Sequence, residues 1–532
     1  MLRIERSAWL LAILSAILQT VIFPLANLYM LSWIAVAPLL IAILRARPAQ
    51  TLQLQGAKKF LPASSVQGFL VGYVPGILWY CGNCYWVYST MKQYSGLNAF
   101  EAAGLLFLFS LYLGLYHGLF ALIVSWLARG ESGTRNALLL APFVWVAVEL
   151  ARTRITGFPW DLLGVTQVDN IPLARIATVT GVYGVSLEIM IVNAAFAAAF
   201  LIRRNRSPLL IAALLAAFVL QSARWISAPQ VPADHTALLV QENIPVLDSA
   251  DWTTQYFTDT LTELSRLSLT PPGRQQRRPE LIVWPESPAP FYSGDPLFRT
   301  AVTHIAESAQ TWMVVGSIGV QNAMMSPQHV TQIFNSATLV ASNGEWGSRY
   351  DKIHLVPFGE YVPFKSWFSF AGGLTKEVGD FSRGVSRQPL PAGDQKLGVF
   401  ICYESIFPDD VRRFVVNGAQ VFVNISNDGW YGDSGAYAQH LQQARMRAVE
   451  NARWLLRDTN TGVTAAIDPY GRVIASAPRK LRTVLEAPYA LSTGTTFYTR
   501  HGDWLAYACA IISVGAILLS LTAATGRRKE KE

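Results

Sequence analysis

The chain is short of charge. Only 15% of its 532 residues are Asp, Glu, Lys or Arg, while 52% are hydrophobic; soluble globular domains average roughly 25% charged residues. The deficit excludes an ordinary soluble protein, and it is uneven. Long apolar runs fill most of residues 1–228, residues 233–492 are mixed in the manner of a globular domain, and a last apolar run fills about 504–524. Cysteine is scarce too: Cys81, Cys84, Cys402 and Cys509. Cys81 and Cys84 have the C-x-x-C spacing of a redox or zinc pair. They lie, however, in an aromatic apolar stretch with no second ligand pair nearby, and read as membrane-helix packing. Cys509, in the last apolar run, reads the same way. That leaves Cys402 as the only thiol of the globular part, and an unpaired cysteine kept in an oxidising compartment points to chemistry. No internal repeat, glycine-rich phosphate loop or low-complexity tract stands out, so the sequence carries no signal for a solenoid or a nucleotide-binding loop.

A bilayer core about 30 Å thick needs about 20 apolar residues in a helix. Candidate spans are 8–24, 28–44, 66–90, 102–128, 137–151, 177–202, 208–224 and 504–524. The first two, joined through Pro24 to Asn27, read as a tight hairpin. The fifth is short and carries Glu149, a residue that is costly and often functional at bilayer depth and ordinary at the interface. Arg3 and Arg6 ahead of the first run imitate a signal peptide, but no small-residue cleavage site follows and the run reads as a retained helix. Counted along these spans, Arg3 and Arg6, Arg45, Arg47, Lys58 and Lys59, Arg129 and Arg135, Arg203, Arg204 and Arg206, and Arg527, Arg528, Lys529 and Lys531 fall on one side. Arg152 and Arg154 are the exception. Basic loops mark the cytoplasmic side, so both termini are expected there and residues 233–492 across the membrane, in a bacterial periplasm. The net charge of +8 is accounted for by these loops rather than by a nucleic-acid surface.

Within 233–492, Thr236–Val240, Leu281–Trp284, Thr311–Gly316, Asn335–Val340, Leu397–Cys402 and Gln420–Ile425 read as strands. The last two are continuous apolar runs, the pattern of strands buried on both faces. Stretches near 297–310, 409–417 and 440–453 read as helices, and the alternation predicts an α/β layered domain. Cys402 ends one strand. A thiol reacts as thiolate, and a nearby cation or base lowers its pKa from about 8.5. Glu286, beyond Pro285 at the end of another strand, is the candidate base. Lys352 is the candidate charge for a tetrahedral oxyanion, with the backbone N–H of Tyr403 as second donor. Nucleophile, base and stabiliser meet the needs of covalent acyl transfer, and a membrane-tethered site of that kind points to a lipid substrate. Taken singly, each has a bland reading: a cysteine at a strand end is commonly core, a Glu after Pro a turn residue, a Lys after Asp a solvated ion pair. Spacing alone does not bring them together.

In that order, Trp284-Pro285-Glu286, Lys352 and Cys402 resemble the Glu–Lys–Cys triad of the nitrilase superfamily, which implies a four-layer α-β-β-α sandwich. The flanking spans narrow the resemblance to the apolipoprotein N-acyltransferases and extend it over nearly the whole chain. It is carried by Gln241-Glu242-Asn243-Ile244, the run from Tyr350 to Pro363, Ser426-Asn427-Asp428-Gly429-Trp430, the run from Ala444 to Glu450, and Gly157-Phe158-Pro159-Trp160. The chain departs from the family at Asp161–Val165, where an aromatic Gly-Tyr element is usual, and at Glu242, where Gly is frequent. The expected fold class is a polytopic α-helical membrane protein with an inserted α/β nitrilase-like (α-β-β-α sandwich) extracytoplasmic domain. Its expected parts are a helical domain at 1–228 with about seven spans, a catalytic domain at 233–492 and a final helix at 504–524.

The resemblance implies that Cys402 takes the sn-1 acyl chain of a phospholipid, phosphatidylethanolamine for example, as a thioester. The chain then passes to the α-amino group of a diacylglyceryl apolipoprotein. Glu286 would move the protons and Lys352 hold the oxyanion, with no metal or diffusible cofactor. The implied partners are those two substrates and membrane lipids, not nucleic acid, and the enzyme is expected to be a monomer. By the same resemblance Glu360 supports the triad, and Tyr403 and Glu404 shape the oxyanion hole. Trp252 is expected to touch lipid, and His354 and His440 to be structural. In its own right, the aromatic run with Trp367 and Phe368 ahead of Gly372-Gly373 reads as an arm that dips into the outer leaflet. Two rivals remain open: a tethered amidase that lets water resolve the thioester, and a transporter or scaffold with a dead outer domain.

Overall fold

A computed structural model describes residues 3–48, 60–129, 133–202, 206–247, 251–270, 278–287, 289–325, 328–357, 359–361 and 381–529. The chain divides into two compact units, one of Met1–Tyr88, Asn98–Ala228 and His501–Glu532, the other of Ser89–Leu97 and Pro229–Arg500.

The first unit is helical. Among the described residues, Ala99–Leu127, Val182–Leu201, Arg206–Trp225 and Trp504–Thr522 are the helices long and apolar enough to cross a membrane. Other runs of the sequence are interrupted. The span expected at 28–44 is a 3-10 turn, Tyr29–Trp33, followed by the α-helix Ala37–Leu44. Asn193 closes the gap: its Oδ1 accepts from the N–H groups of Val36 (2.8 Å) and Ala37 (2.9 Å), and its Nδ2 donates to the Ser32 carbonyl at 2.8 Å. Helix ends buried among apolar groups need such partners. The run expected at 66–90 is also cut. The helix Ser65–Asn83 opens on a capping box of Ser64 and Gln67, and a separate helix, Trp86–Tyr94, follows it. Glu149 is buried, accepting from Trp145 Nε1 at 3.1 Å and the Leu163 N–H at 2.8 Å. Strands β1 (Arg47–Pro48) and β2 (Phe60–Leu61) form a short antiparallel pair.

The second unit is built on two mixed six-stranded sheets. The first contains β3 (His235–Gln241), β4 (Leu281–Val283), β5 (Trp312–Met325), β6 (Gln328–Val340) and β7 (Trp346–Asp351). The second contains β8 (Leu390–Ala392), β9 (Gln395–Ile401), β10 (Val421–Ser426), β11 (Leu455–Thr459), β12 (Ala465–Ile467) and β13 (Val473–Ser476). Strand β14 (Thr483–Tyr489) returns to the first sheet, giving orders β14-β3-β4-β5-β6-β7 and β13-β12-β11-β10-β9-β8. In each sheet three neighbouring strands run parallel, β3-β4-β5 and β9-β10-β11. Helices Thr254–Leu269 and Pro296–Ala309 bury Leu261, Leu264, Val302 and Ile305 in one core with Leu238, Val240 and Ile282 of the first sheet. Alternation along a strand turns the intervening Ala237, Leu239, Leu281 and Val283, all buried, to the opposite face. Helices Pro408–Val416 and Ala436–Asn451 belong to the second sheet's side. Pro408 at the first position and Asp409 and Asp410 in the first turn suit a helix start. The result is the expected α-β-β-α sandwich.

Candidate active site

The carboxyl ends of the parallel strands carry the polar groups, which is where open α/β sheets place ligands. Beyond β4, the Trp284 N–H still donates to the Val314 carbonyl at 2.9 Å. Pro285 has no N–H to continue the ladder, and Glu286 turns inward. Gly316 makes room for this turn, since a Cβ there would lie 1.9 Å from the Pro285 carbonyl oxygen. Lys352 directly follows β7, its N–H bound to the Asn335 carbonyl at 2.8 Å. Cys402 directly follows β9 and is held at φ +51°, the left-handed region that only glycine visits freely. The first sheet thus supplies the carboxylate and the amine, the second the thiol.

The three residues that sequence spacing could not unite are brought together. Lys352 Nζ donates to Glu286 Oε1 at 3.0 Å and to Glu360 Oε1 at 2.9 Å. Asn335 Nδ2 donates to the same two oxygens, at 2.7 and 2.6 Å. The second oxygens are anchored by backbone: the Asn427 N–H reaches Glu286 Oε2 and the Val356 N–H reaches Glu360 Oε2, both at 2.7 Å. Lys352 is 1% exposed, and Glu286 and Cys402 are each 6% exposed.

Burial works against the charge on Lys352, but Glu286, Glu360 and Cys402 outweigh it and hold its pKa well above the ordinary lysine value. Burial likewise raises the Glu286 pKa, and the Lys352 charge with the hydrogen bonds from Asn335, Lys352 and Asn427 brings it below the ordinary carboxyl value. For Cys402, burial pushes the thiol up, the negative charges of Glu286 and Asp428 add to it, and Lys352 and a hydrogen bond from Ser426 only partly offset them. The expectation of a thiolate poised by a nearby cation is therefore corrected. The resting set is thiol, carboxylate and ammonium, because burial and the neighbouring charges of Glu286 and Asp428 outweigh the pull of Lys352 on the thiol. Such a set suits general-base attack, the carboxylate taking the thiol proton as the sulfur bonds to carbon.

Glu404 binds neighbouring loops rather than the reacting atoms. Its Oε1 accepts from Tyr350 OH (2.8 Å), the Ile353 N–H (2.7 Å) and the His354 N–H (3.1 Å), and its Oε2 from the Ile401 N–H (2.8 Å). It ties the turn at Cys402 to the chain just past Lys352. Tyr403 is buried with its ring edge-on to Phe407, 5.2 Å between centroids. His354 stacks on Phe407 at 4.1 Å. The Trp252 ring, partly buried, packs on Tyr256, Phe257 and Phe291 at the helix side of the first sheet. Trp367 and Phe368 lie outside the described residues. Sequence reading gave Ser426 and Asp428 only within a quoted family segment, without roles, and did not single out Asn335 or Arg457. The signal of those two was weak: an Asn at the head of a strand-like run, and a charge beside the apolar pair Leu455-Leu456.

Two family models match the chain: a carbon-nitrogen hydrolase model over residues 239–497 and an apolipoprotein N-acyltransferase N-terminal domain model over residues 15–195. A protein of Geobacter metallireducens named apolipoprotein N-acyltransferase is 35% identical over 519 residues, covering 95% of this chain and 94% of the relative. One of the same name from Methylococcus capsulatus is 34% identical over 455 residues, 84% of this chain and 86% of the relative. A solved carbon-nitrogen hydrolase from Helicobacter pylori is 17% identical, covers 48% of this chain and 88% of its own, and has a TM-score of 0.34; at that score the likeness adds nothing to the fold described above.

Proposed function

The chain belongs to the apolipoprotein N-acyltransferase family, and from that premise we propose that it moves an acyl chain from the sn-1 position of a phospholipid, through a thioester on Cys402, to the α-amino group of the diacylglyceryl-cysteine that begins an apolipoprotein. The observation that carries this reading is the Lys352 ammonium held between two buried carboxylates beside the buried Cys402 thiol. Cys402 Sγ attacks the ester carbon as Glu286 takes the thiol proton. Lys352 Nζ and the Tyr403 N–H receive the negative charge on the carbonyl oxygen. The tetrahedral species collapses, the lysophospholipid oxygen leaves with the proton returned by Glu286, and the acyl chain remains as thioester. The apolipoprotein amine then attacks the thioester while Glu286 takes its proton. The C–S bond breaks, the amide forms, and the proton returns to sulfur. Glu360 and Asn335 keep Lys352 and Glu286 in register through both halves.

In this reading phosphatidylethanolamine serves as acyl donor and a monomer carries out both steps. Helical spans within 1–228 and the helix at 504–524 hold the enzyme in the bacterial inner membrane. Both termini face the cytoplasm and the catalytic domain, 233–492, faces the periplasm, an orientation supported by the basic loops. The test is intact-protein mass spectrometry of the purified enzyme after incubation with phosphatidylethanolamine, beside Cys402→Ser. The expected result is a gain of one acyl chain on the wild type, released by hydroxylamine and by a diacylglyceryl-cysteine peptide and only slowly by water. An adduct cleared by water as fast as by the peptide makes the protein a hydrolase instead, and no adduct at all refutes the thioester.

A further inference from the structure

Behind the nucleophile lies a buried polar cluster that the two-step reaction does not use. His440, on the helix Ala436–Asn451, is fully buried. Its Nε2 lies 3.0 Å from the Cys402 carbonyl oxygen, and its Nδ1 lies 3.0 Å from Asp428 Oδ1 and 3.1 Å from Arg457 Nη2. Arg457 also donates to Asp428 Oδ2 at 2.8 Å, and Ser426 Oγ donates to Asp428 Oδ1 at 2.7 Å. The Tyr431 ring meets the imidazole edge-on, 5.7 Å between centroids.

A carbonyl oxygen only accepts, so Nε2 carries a hydrogen. Burial first and the Arg457 charge second lower the His440 pKa; a neutral ring accepts from Arg457 at Nδ1, and a charged ring donates there to Asp428. In either state the Nε2–H is directed at Cys402. The carbonyl of Cys402 and the N–H of Tyr403 belong to one planar trans peptide, where they point in opposite directions. Fixing one aims the other. The left-handed φ of Cys402 is a conformation that persists only where surrounding contacts hold it.

We propose that His440 is a positioning residue of the oxyanion hole, its Nε2–H clamping the Cys402 carbonyl so that the Tyr403 N–H faces the acyl oxygen. The proposal rests on the reading of Cys402 as nucleophile and of the Tyr403 N–H as oxyanion donor.

The test compares two reactions of the full-length enzyme in detergent. One is acylation of Cys402 by phosphatidylethanolamine. The other is alkylation of Cys402 by iodoacetamide, followed on the Cys402 peptide, which builds no oxyanion. His440→Asn keeps polar atoms near Arg457 and Asp428 but ends short of the carbonyl, and His440→Gln places a donor at the reach of Nε2. Removing one oxyanion donor costs about 100- to 1000-fold in rate, so a misaimed one in His440→Asn is expected to slow acylation about 10- to 100-fold. Alkylation should hold its wild-type rate, and His440→Gln should recover most of the acylation. Wild-type acylation in His440→Asn, a Gln variant as slow as the Asn variant, or alkylation falling in step with acylation overturns the clamp. Failure of the underlying reading shows separately, as a wild-type enzyme that forms no acyl adduct, and takes the clamp with it.

Discussion

Glu286 has two opposed effects in the proposed reaction. Its negative charge is one cause of the raised Cys402 pKa, yet it is the group proposed to receive the thiol proton. Glu286→Gln separates the two effects. Acyl-enzyme formation is expected to fall about 100- to 10,000-fold with loss of the general base, while the pKa for alkylation of Cys402 moves down. An alkylation pKa that stays put or rises, read from the pH dependence of iodoacetamide labelling, would show that Glu286 does not face the thiol. The wild-type pH profile follows with its sign. Glu286 is ionised below the ordinary carboxyl value and Lys352 protonated above the ordinary lysine value, so acylation should hold its plateau through the usual carboxyl range and fall only below it. The stability contributed by Glu286 is likewise present above its unfolded pKa, about 4.3, and lost as pH falls through its folded pKa. Lys352→Met leaves the Glu286 and Glu360 carboxylates buried without their cation. Breaking a buried pair this way costs about 3–5 kcal/mol, read as a lowered Tm in detergent. Adding Glu360→Gln should restore part of it, and a double variant no more stable than the single would show that the carboxylates do not share Lys352. At this scale the sequence named three groups that the structure brings together but not their state, because a thiol beside a lysine looks activated until the burial that raises it and the carboxylate charge beside it are seen.

Legibility of the elements followed burial. Strands β4 and β9 were readable because both lie in unbroken apolar runs, and each ends within a few residues of Glu286 or Cys402. Strand β11 was missed because it carries Arg457 and Asp458, both fully buried, and charges in a short segment read as loop. The break in the 28–44 run was invisible because its partner, Asn193, stands 157 residues away from Val36. Long-range polar contacts also set the turn at Cys402. Glu404 accepts from four donors there, on both oxygens. An amide cannot match them, since whichever way it is placed its NH2 faces a donor. Glu404→Gln should therefore lower stability by about 1–3 kcal/mol, the cost of a buried group left unsatisfied. It should also slow acylation more than alkylation. A Gln variant with unchanged Tm and unchanged acylation would remove Glu404 from any role in holding the turn.

For the whole molecule, the sequence foresaw a membrane part around a sandwich, but it drew the line between them by hydropathy alone. The segment Ser89–Leu97 groups with the sandwich unit, where Thr90 Oγ1 donates to the Trp430 carbonyl at 2.8 Å and Tyr94 OH to the Gly429 carbonyl at 2.9 Å. The proposed orientation can be checked with an impermeant maleimide on intact spheroplasts, in a Cys402→Ala background. A cysteine replacing the exposed Asp234 should label at once, and one replacing the exposed Arg129 only after permeabilisation; the reverse order would invert the topology. The division of Glu286, Lys352 and Cys402 between two sheets has one more consequence. Until the sheets meet, Cys402 is an ordinary thiol titrating near 8.5; once they meet, burial pushes it up. In the proposed periplasmic orientation, a chain emerging into an oxidising compartment is thus most open to chemical damage before it is finished, and completing the fold is its own antioxidant.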